Sequence, residues 1–214
     1  MKIFDEFYES ANSENAQKMS AYMKNNFPFL GIKSPKRRDI SKDFLKSIKG
    51  PDIDWEFIEK AWNKSEREFQ YLALDYLKSN KKYLQVQDIP KLKELALQKS
   101  WWDSIDIFDR IIGDIVLRNP EQDKLMLEWS KDSNFWLRRL AIDHQLTRKE
   151  KTKPDLLGQI IKNNLNQTEF FINKAIGWSL RDYSKTNPEW VTNFIKENRA
   201  GLSPLSIREG SKYI

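Results

Sequence analysis

Three stretches of this chain share one pattern, an apolar residue followed four positions later by Ala and an aliphatic residue. They are Phe69…Ala73-Leu74, Leu137…Ala141-Ile142 and Phe171…Ala175-Ile176. The alanines lie 68 residues apart (73 to 141) and then 34 apart (141 to 175), so one 34-residue period fits both gaps. The unit this period skips would centre on Ile107, within residues 101–113, where the Ala is absent. One period holds two short helices and two turns. A lone pair of helices cannot bury its apolar face, so pairs stack into a solenoid with one concave surface. The small Ala suits close helix–helix approach. The expected fold is therefore all-α, an α-solenoid of antiparallel helical pairs, with residues 1–214 as a single domain.

Local periodicity agrees. Ile3, Phe4, Phe7 and Tyr8 fall on one helix face. Pro35 opens a segment carrying Ile40, Phe44, Leu45 and Ile48, closed by Gly50-Pro51, the usual asymmetry of helix ends. Further helical segments are predicted over residues 55–62, 69–77, 92–96, 105–117, 125–129, 135–146, 156–165, 170–183 and 190–195. No stretch alternates like a strand, and Gly 7 and Pro 8 are too few for an all-β fold of tight turns.

With no Cys, disulfides and thiolate metal sites are excluded. A single His, His144, argues against a histidine-based metal site. No metal and no cofactor are expected, and Asp109 with Asp114 has no metal-ligand spacing. The first residues, Met1-Lys2-Ile3-Phe4-Asp5-Glu6, carry acids where a signal peptide would have an apolar run, and no run approaches the roughly 18 apolar residues of a membrane span. A cytoplasmic, monomeric protein is expected. Charge is distributed unevenly. Residues 1–132 hold 23 Lys+Arg against 23 Asp+Glu, and residues 133–214 hold 14 against 8, so the whole net charge of +6 lies in the last 82 residues. That asymmetry points to a polyanion, nucleic acid first, beside the plainer alternative of a basic surface.

Three clusters could carry chemistry. In Lys99-Ser100-Trp101-Trp102-Asp103-Ser104-Ile105-Asp106, Ser100 and Asp103 have the spacing of a capping box. Trp102 and Asp106 would then share one helix face. An indole face and a carboxylate together stabilise a cation, as an oxocarbenium-like state of glycosidic cleavage requires. Core packing and a helix-dipole role are the alternatives. In Phe135-Trp136-Leu137-Arg138-Arg139, two adjacent arginines cannot both enter one seam, so one is expected outside, where it could grip phosphate. In Lys174-Ala175-Ile176-Gly177-Trp178-Ser179-Leu180-Arg181, Trp178 and Arg181 are neighbours on one face. A helix-interior Gly177 implies close approach by a ligand, a backbone or the next repeat. Lys36-Arg37-Arg38 reads most simply as a solvated helix start, and His144 has no partner motif.

These stretches together resemble the AlkD family of bacterial DNA alkylation repair glycosylases, built from HEAT-like repeats. The likeness spans almost the whole chain. It also includes Ala21-Tyr22-Met23-Lys24-Asn25, Phe29-Leu30-Gly31-Ile32, Glu66-Arg67-Glu68-Phe69-Gln70, Lys185-Thr186-Asn187-Pro188 and Pro204-Leu205-Ser206 before Arg208-Glu209. The resemblance implies a concave DNA-binding face and excision of cationic N3- or N7-alkylated purines from duplex DNA. It implies a catalytic Asp at Asp106 and active-site tryptophans at Trp102 and Trp178. DNA contacts are implied at Arg139, Arg181 and Tyr22, with Arg138 beside them. Thr147 stands where the family has a phosphate-binding Lys, and Arg148 and Lys149 are the expected substitutes. Asp143-His144 stands where apolar or aromatic residues are expected. A non-catalytic protein for damaged or branched DNA, and a protein-binding helical scaffold, are the other readings.

Overall fold

The computed structural model describes all 214 residues, as thirteen α-helices and no strand. It divides into two compact units, Met1–Gln85 and Val86–Ile214. No helix is long and apolar enough to cross a membrane.

The N-terminal unit contains α1 (Lys2–Glu9), α2 (Ser13–Tyr22), α3 (Ser34–Ser47), α4 (Trp55–Trp62) and α5 (Arg67–Ser79). Its core is aromatic. Phe4 meets Phe69 edge-on at 5.3 Å, and Phe57 meets Tyr76 in the same way at 5.4 Å. The start of α5 explains why Arg67, Glu68 and Gln70 are charged or polar yet wholly buried. Glu68 accepts the backbone N–H groups of Leu30, Gly31 and Ile32 at 2.9, 2.8 and 3.0 Å. Gln70 donates to the carbonyls of Trp62 and Lys64 at the end of α4. Arg67 stacks on Phe27 at 3.8 Å. The loop so held needs Gly31, whose φ is +89° and whose absent Cβ would lie 2.0 Å from the Asn12 carbonyl oxygen.

The C-terminal unit contains α6 (Ile89–Gln98), α7 (Trp102–Arg118), α8 (Asp123–Trp129), α9 (Phe135–Asp143), α10 (Pro154–Lys162), α11 (Phe170–Ser184), α12 (Pro188–Glu197) and α13 (Pro204–Gly210). Here α7, α9, α11 and α13 pack each on the next, while α6 packs on α7, α8 on α9, and α12 on α11. That is the stacked-pair arrangement of a helical-repeat solenoid. The stacked helices begin at residues 102, 135, 170 and 204, steps of 33, 35 and 34, and α5 begins at 67. The 34-residue period is thus structural, and α7 is the unit lacking the Ala. Ala73, Ala141 and Ala175 are all fully buried. In α7 the buried position is Phe108, with Ile107 half-exposed.

Two glycines mark the tightest packing. A Cβ on Gly113 of α7 would sit 2.2 Å from the backbone oxygen of His144, and one on Gly177 of α11 would sit 2.6 Å from the Glu209 Cβ of α13. Gly177 is therefore explained by packing between repeats. The capping box expected at Ser100 does not form. The Ser100 hydroxyl instead donates back to the Ala96 carbonyl of α6 at 2.8 Å, and Trp101 occupies the N-cap of α7 without a side-chain cap. A short loop lets Ser100 close the preceding helix rather than open the next.

Candidate functional site

The helix α7 begins at Trp102, and Asp106 follows one turn later on the same face. The next repeat supplies Arg139 from α9. Its Nε and Nη2 lie 2.9 and 2.8 Å from one oxygen of Asp106, Oδ1. Its Nη1 donates to the Phe171 carbonyl of α11 at 2.6 Å, and its guanidinium carbon lies 5.1 Å from the centre of the Trp178 ring. One arginine thus joins three successive repeats. The Arg139 side chain is 1% exposed and that of Asp106 is 21% exposed. The carboxylate reaches solvent, and the bonds from Arg139 fall on only one of its oxygens. Burial pushes the Asp106 carboxyl up, and Arg139 opposes this by charge and hydrogen bond without cancelling it. Burial also disfavours the Arg139 cation, but Asp143 and Asp106 outweigh it and hold the charge firmly.

Two further carboxyls lie behind this pair. Asp109 of α7 and Asp143 of α9 are each 1% exposed, and ligand oxygens of Asp106, Asp109 and Asp143 all lie within 4.8 Å of one another. Asp143 Oδ1 accepts from the Ser179 hydroxyl at 3.0 Å. Its Oδ2 lies 3.7 Å from Arg139 Nη2, too far for a hydrogen bond. Burial raises Asp143 to about 6 and raises Asp109 well above the carboxylate range. The trio has the spacing of a metal-ligand set. However, the Arg139 guanidinium already lies against two of its members, Asp106 and Asp143, and the inner two carboxyls are cut off from solvent. From the sequence, Asp109 is weighed only with Asp114 and set aside, and Asp143 stands out only as a departure from the family pattern. A signal existed, because Asp75, Asp109 and Asp143 are spaced 34 and 34 apart on α5, α7 and α9, in phase with the repeat.

The other expected contacts divide. Of the adjacent arginines, Arg139 is the one inside. Arg138 is half-buried, and its Nη1 donates to the Asp132 carbonyl at 3.0 Å. Arg181, 28% exposed, donates to Glu209 of α13 at 2.9 Å, and the same carboxylate holds Lys174 at 3.3 Å and Lys212 at 3.0 Å. Arg148, expected to face phosphate, turns inward. It is 9% exposed, its Nη2 donates to the Gly113 carbonyl at 2.6 Å, and burial lowers its pKa to about 10. Lys149 beside it is exposed, in a turn with positive φ at Thr147 (+68°) and Lys149 (+52°). Tyr22 closes α2 and is 69% exposed. His144 is buried, with its Nδ1 2.6 Å from the Ala141 carbonyl and its pKa lowered to about 3 by burial, so it is neutral. Lys36 and Arg38 are solvated as expected, but Arg37 is buried against Tyr71 and pairs with Asp75 at 3.0 Å. The charge arithmetic also missed a basic groove in the N-terminal unit, lined by Arg38, Lys42, Lys46 and Lys49.

A half-buried carboxylate gripped by a buried arginine, with Trp178 against the arginine and Trp102 one turn before the carboxylate, suits stabilisation of a positive charge. The model of the DNA alkylation repair enzyme family matches residues 3–214. A solved structure described as a predicted DNA alkylation repair enzyme from Enterococcus faecalis is similar over 95% of this chain and 96% of its own, with 42% identity and a TM-score of 0.87. The structure of smu.31 from Streptococcus mutans UA159 is similar over 83% of this chain and 95% of its own, at 18% identity and a TM-score of 0.60, a likeness of fold. No curated protein matches the chain. With its match running from the first turn to the last residue, the chain belongs to the family of DNA alkylation repair enzymes.

Proposed function

We propose that this protein is a monofunctional DNA glycosylase that hydrolyses the N-glycosidic bond of N3- and N7-alkylated purines, 3-methyladenine and 7-methylguanine, in duplex DNA. The observation that carries the reading is the Asp106–Arg139 pair. A purine alkylated at N3 or N7 is already cationic and leaves without a general acid. The protein's task is then to stabilise the positive deoxyribose and to direct water to it. Asp106 bears the charge for both, because Arg139 fixes Oδ1 and leaves Oδ2 unclaimed by that clamp. Trp102 and Trp178 supply ring faces, which attract cations. The Trp178 ring already lies 5.1 Å from one cation, Arg139.

Buried as it is, Arg139 acts here by holding Asp106. Phosphate contact falls to residues with surface to offer, namely Lys149, Arg181, Arg138 and, at the lesion, Tyr22. The two units serve as one functional domain of residues 1–214, acting as a monomer in the cytoplasm. The net charge of +6 supports backbone-dominated binding. Base release from N-methylated duplex DNA tests the reading. Wild type is expected to free 7-methylguanine and 3-methyladenine, with affinity falling steeply as salt rises. Asp106→Asn is expected to lose 10²-fold or more of the rate while still binding DNA, on the scale of a lost electrostatic stabiliser. A folded wild type that binds DNA and releases no base would sink the proposal.

A further inference from the structure

In the pair Asp106–Arg139, a buried guanidinium hydrogen-bonded through Nε and ion-paired through Nη2 to one carboxylate oxygen would cancel much of the charge that the carboxylate has to offer. The arginine is not dedicated to Asp106, however. Asp143 sits one helical turn along α9 from Arg139, with Oδ2 3.7 Å from the Nη2 that also touches Asp106. That oxygen is buried and has no hydrogen-bond partner. The shared cation is the first charge that balances it, with the more distant Arg110 second.

We propose that Asp143 is a positioning residue for Asp106: it shares the Arg139 guanidinium, so that the arginine fixes Asp106 in place without neutralising the site. The inference rests on the glycosylase reading above. The charge count makes it concrete. Within the trio of Asp106, Asp143 and Arg139 the charges sum to −1 when both aspartates are ionised, with the part-exposed Arg110 standing outside the trio against Asp109. With a proton on Asp143 they sum to zero, and Arg139 compensates Asp106 alone. A cationic sugar is stabilised by the first state and not by the second.

The groups facing Asp143 set when the change occurs. From α7 these are Asp106, Asp109 and Arg110, from α11 the Ser179 hydroxyl, and from its own helix Arg139. Burial raises the Asp109 carboxyl well above its ordinary value, against the pull of Arg110 3.6 Å away. The neighbouring His144 is neutral. On the α8–α10 side the charged pair is Lys153 with Asp123, whose influence falls on His144 and Arg148. Burial dominates and lifts Asp143 to about 6, so the site gains its negative charge as the pH rises through that value.

The test has two arms. The first follows single-turnover base release from methylated duplex DNA between pH 5 and 8. The wild-type rate is expected to rise about tenfold with a midpoint near 6, the effect of one pKa unit of lost stabilisation. Asp143→Asn is expected to be flat across the range and to stay at the low level. An acid limb retained in Asp143→Asn, or a variant rate equal to the wild-type plateau, overturns the proposal. A merely structural role would lower the rate at every pH and leave the limb in place. The second arm uses DNA-free wild-type protein with 13C-labelled aspartate carboxyls. The Asp106 signal is expected to show an inflection near pH 6 caused by its neighbour, and its absence overturns the coupling. This arm needs no activity and no variant. A wild type that shows the inflection but frees no base refutes the glycosylase reading and leaves the shared arginine standing.

Discussion

Glu68 in the N-terminal unit and Asp143 in the C-terminal unit are both carboxylates taken out of water, 0% and 1% exposed. Their surroundings differ in kind. Glu68 receives three backbone N–H groups from one loop, two on Oε1 and one on Oε2. Asp143 has one hydroxyl on Oδ1 and a shared, distant cation near Oδ2. Preformed backbone donors repay the desolvation of a charge, because they carry no competing partner and lose little entropy. A buried carboxylate with an unbonded oxygen does not recover that cost. The first arrangement holds a fold together. The second keeps a charge at its stability's expense, which is the signature of a site rather than of a scaffold.

Exchanging each carboxylate for its amide should separate the two. Glu68→Gln leaves an NH2 facing N–H donors and loses the charge that they bind. A loss of about 3–5 kcal/mol is expected from urea unfolding, the range for one partner removed from a buried charged network. Asp143→Asn should move the other way. The raised carboxyl makes the folded state bind its proton more tightly than the unfolded chain does, so this group stabilises at low pH and destabilises above about 6. The variant is therefore expected to be more stable than wild type by on the order of 2 kcal/mol at pH 8, with the gain vanishing by pH 4. Equal destabilisation by the two substitutions would erase the distinction. Ser179→Ala gives the finest test. It removes the one hydrogen bond that steadies the Asp143 anion, costs about 1 kcal/mol, and should shift any acid limb of activity to higher pH.

The repeat was legible from three alanines, because close helix packing admits little else at those positions. Even the unit without its Ala was placed correctly as α7. That Trp102 and Asp106 share one face of α7 was readable from their one-turn spacing. The inner carboxyls were not. An Asp within a helix usually lies on a solvated face, and only the 34-residue phase of Asp75, Asp109 and Asp143 distinguishes these. Which of two adjacent arginines enters the seam depends on helix register to within one residue, and that is settled by packing against the next repeat. Ser100 shows the same limit. Its hydroxyl can serve the helix before it or the one after, and the length of the loop decides. Arg148 was misjudged because its partner, the Gly113 carbonyl, belongs to backbone 35 residues away.

Arg139 ends three chains of covalent structure on one flat, rigid group. Its own helix is α9, its bonds to Asp106 reach back to α7, and its bond to Phe171 reaches forward to α11. A guanidinium cannot stretch, so any change in the rise from one repeat to the next must break or lengthen one of those contacts. The array is a spring, and the arginine is a gauge fixed across two of its coils. Flexing the C-terminal unit would be registered first as a tilt of the Asp106 carboxylate.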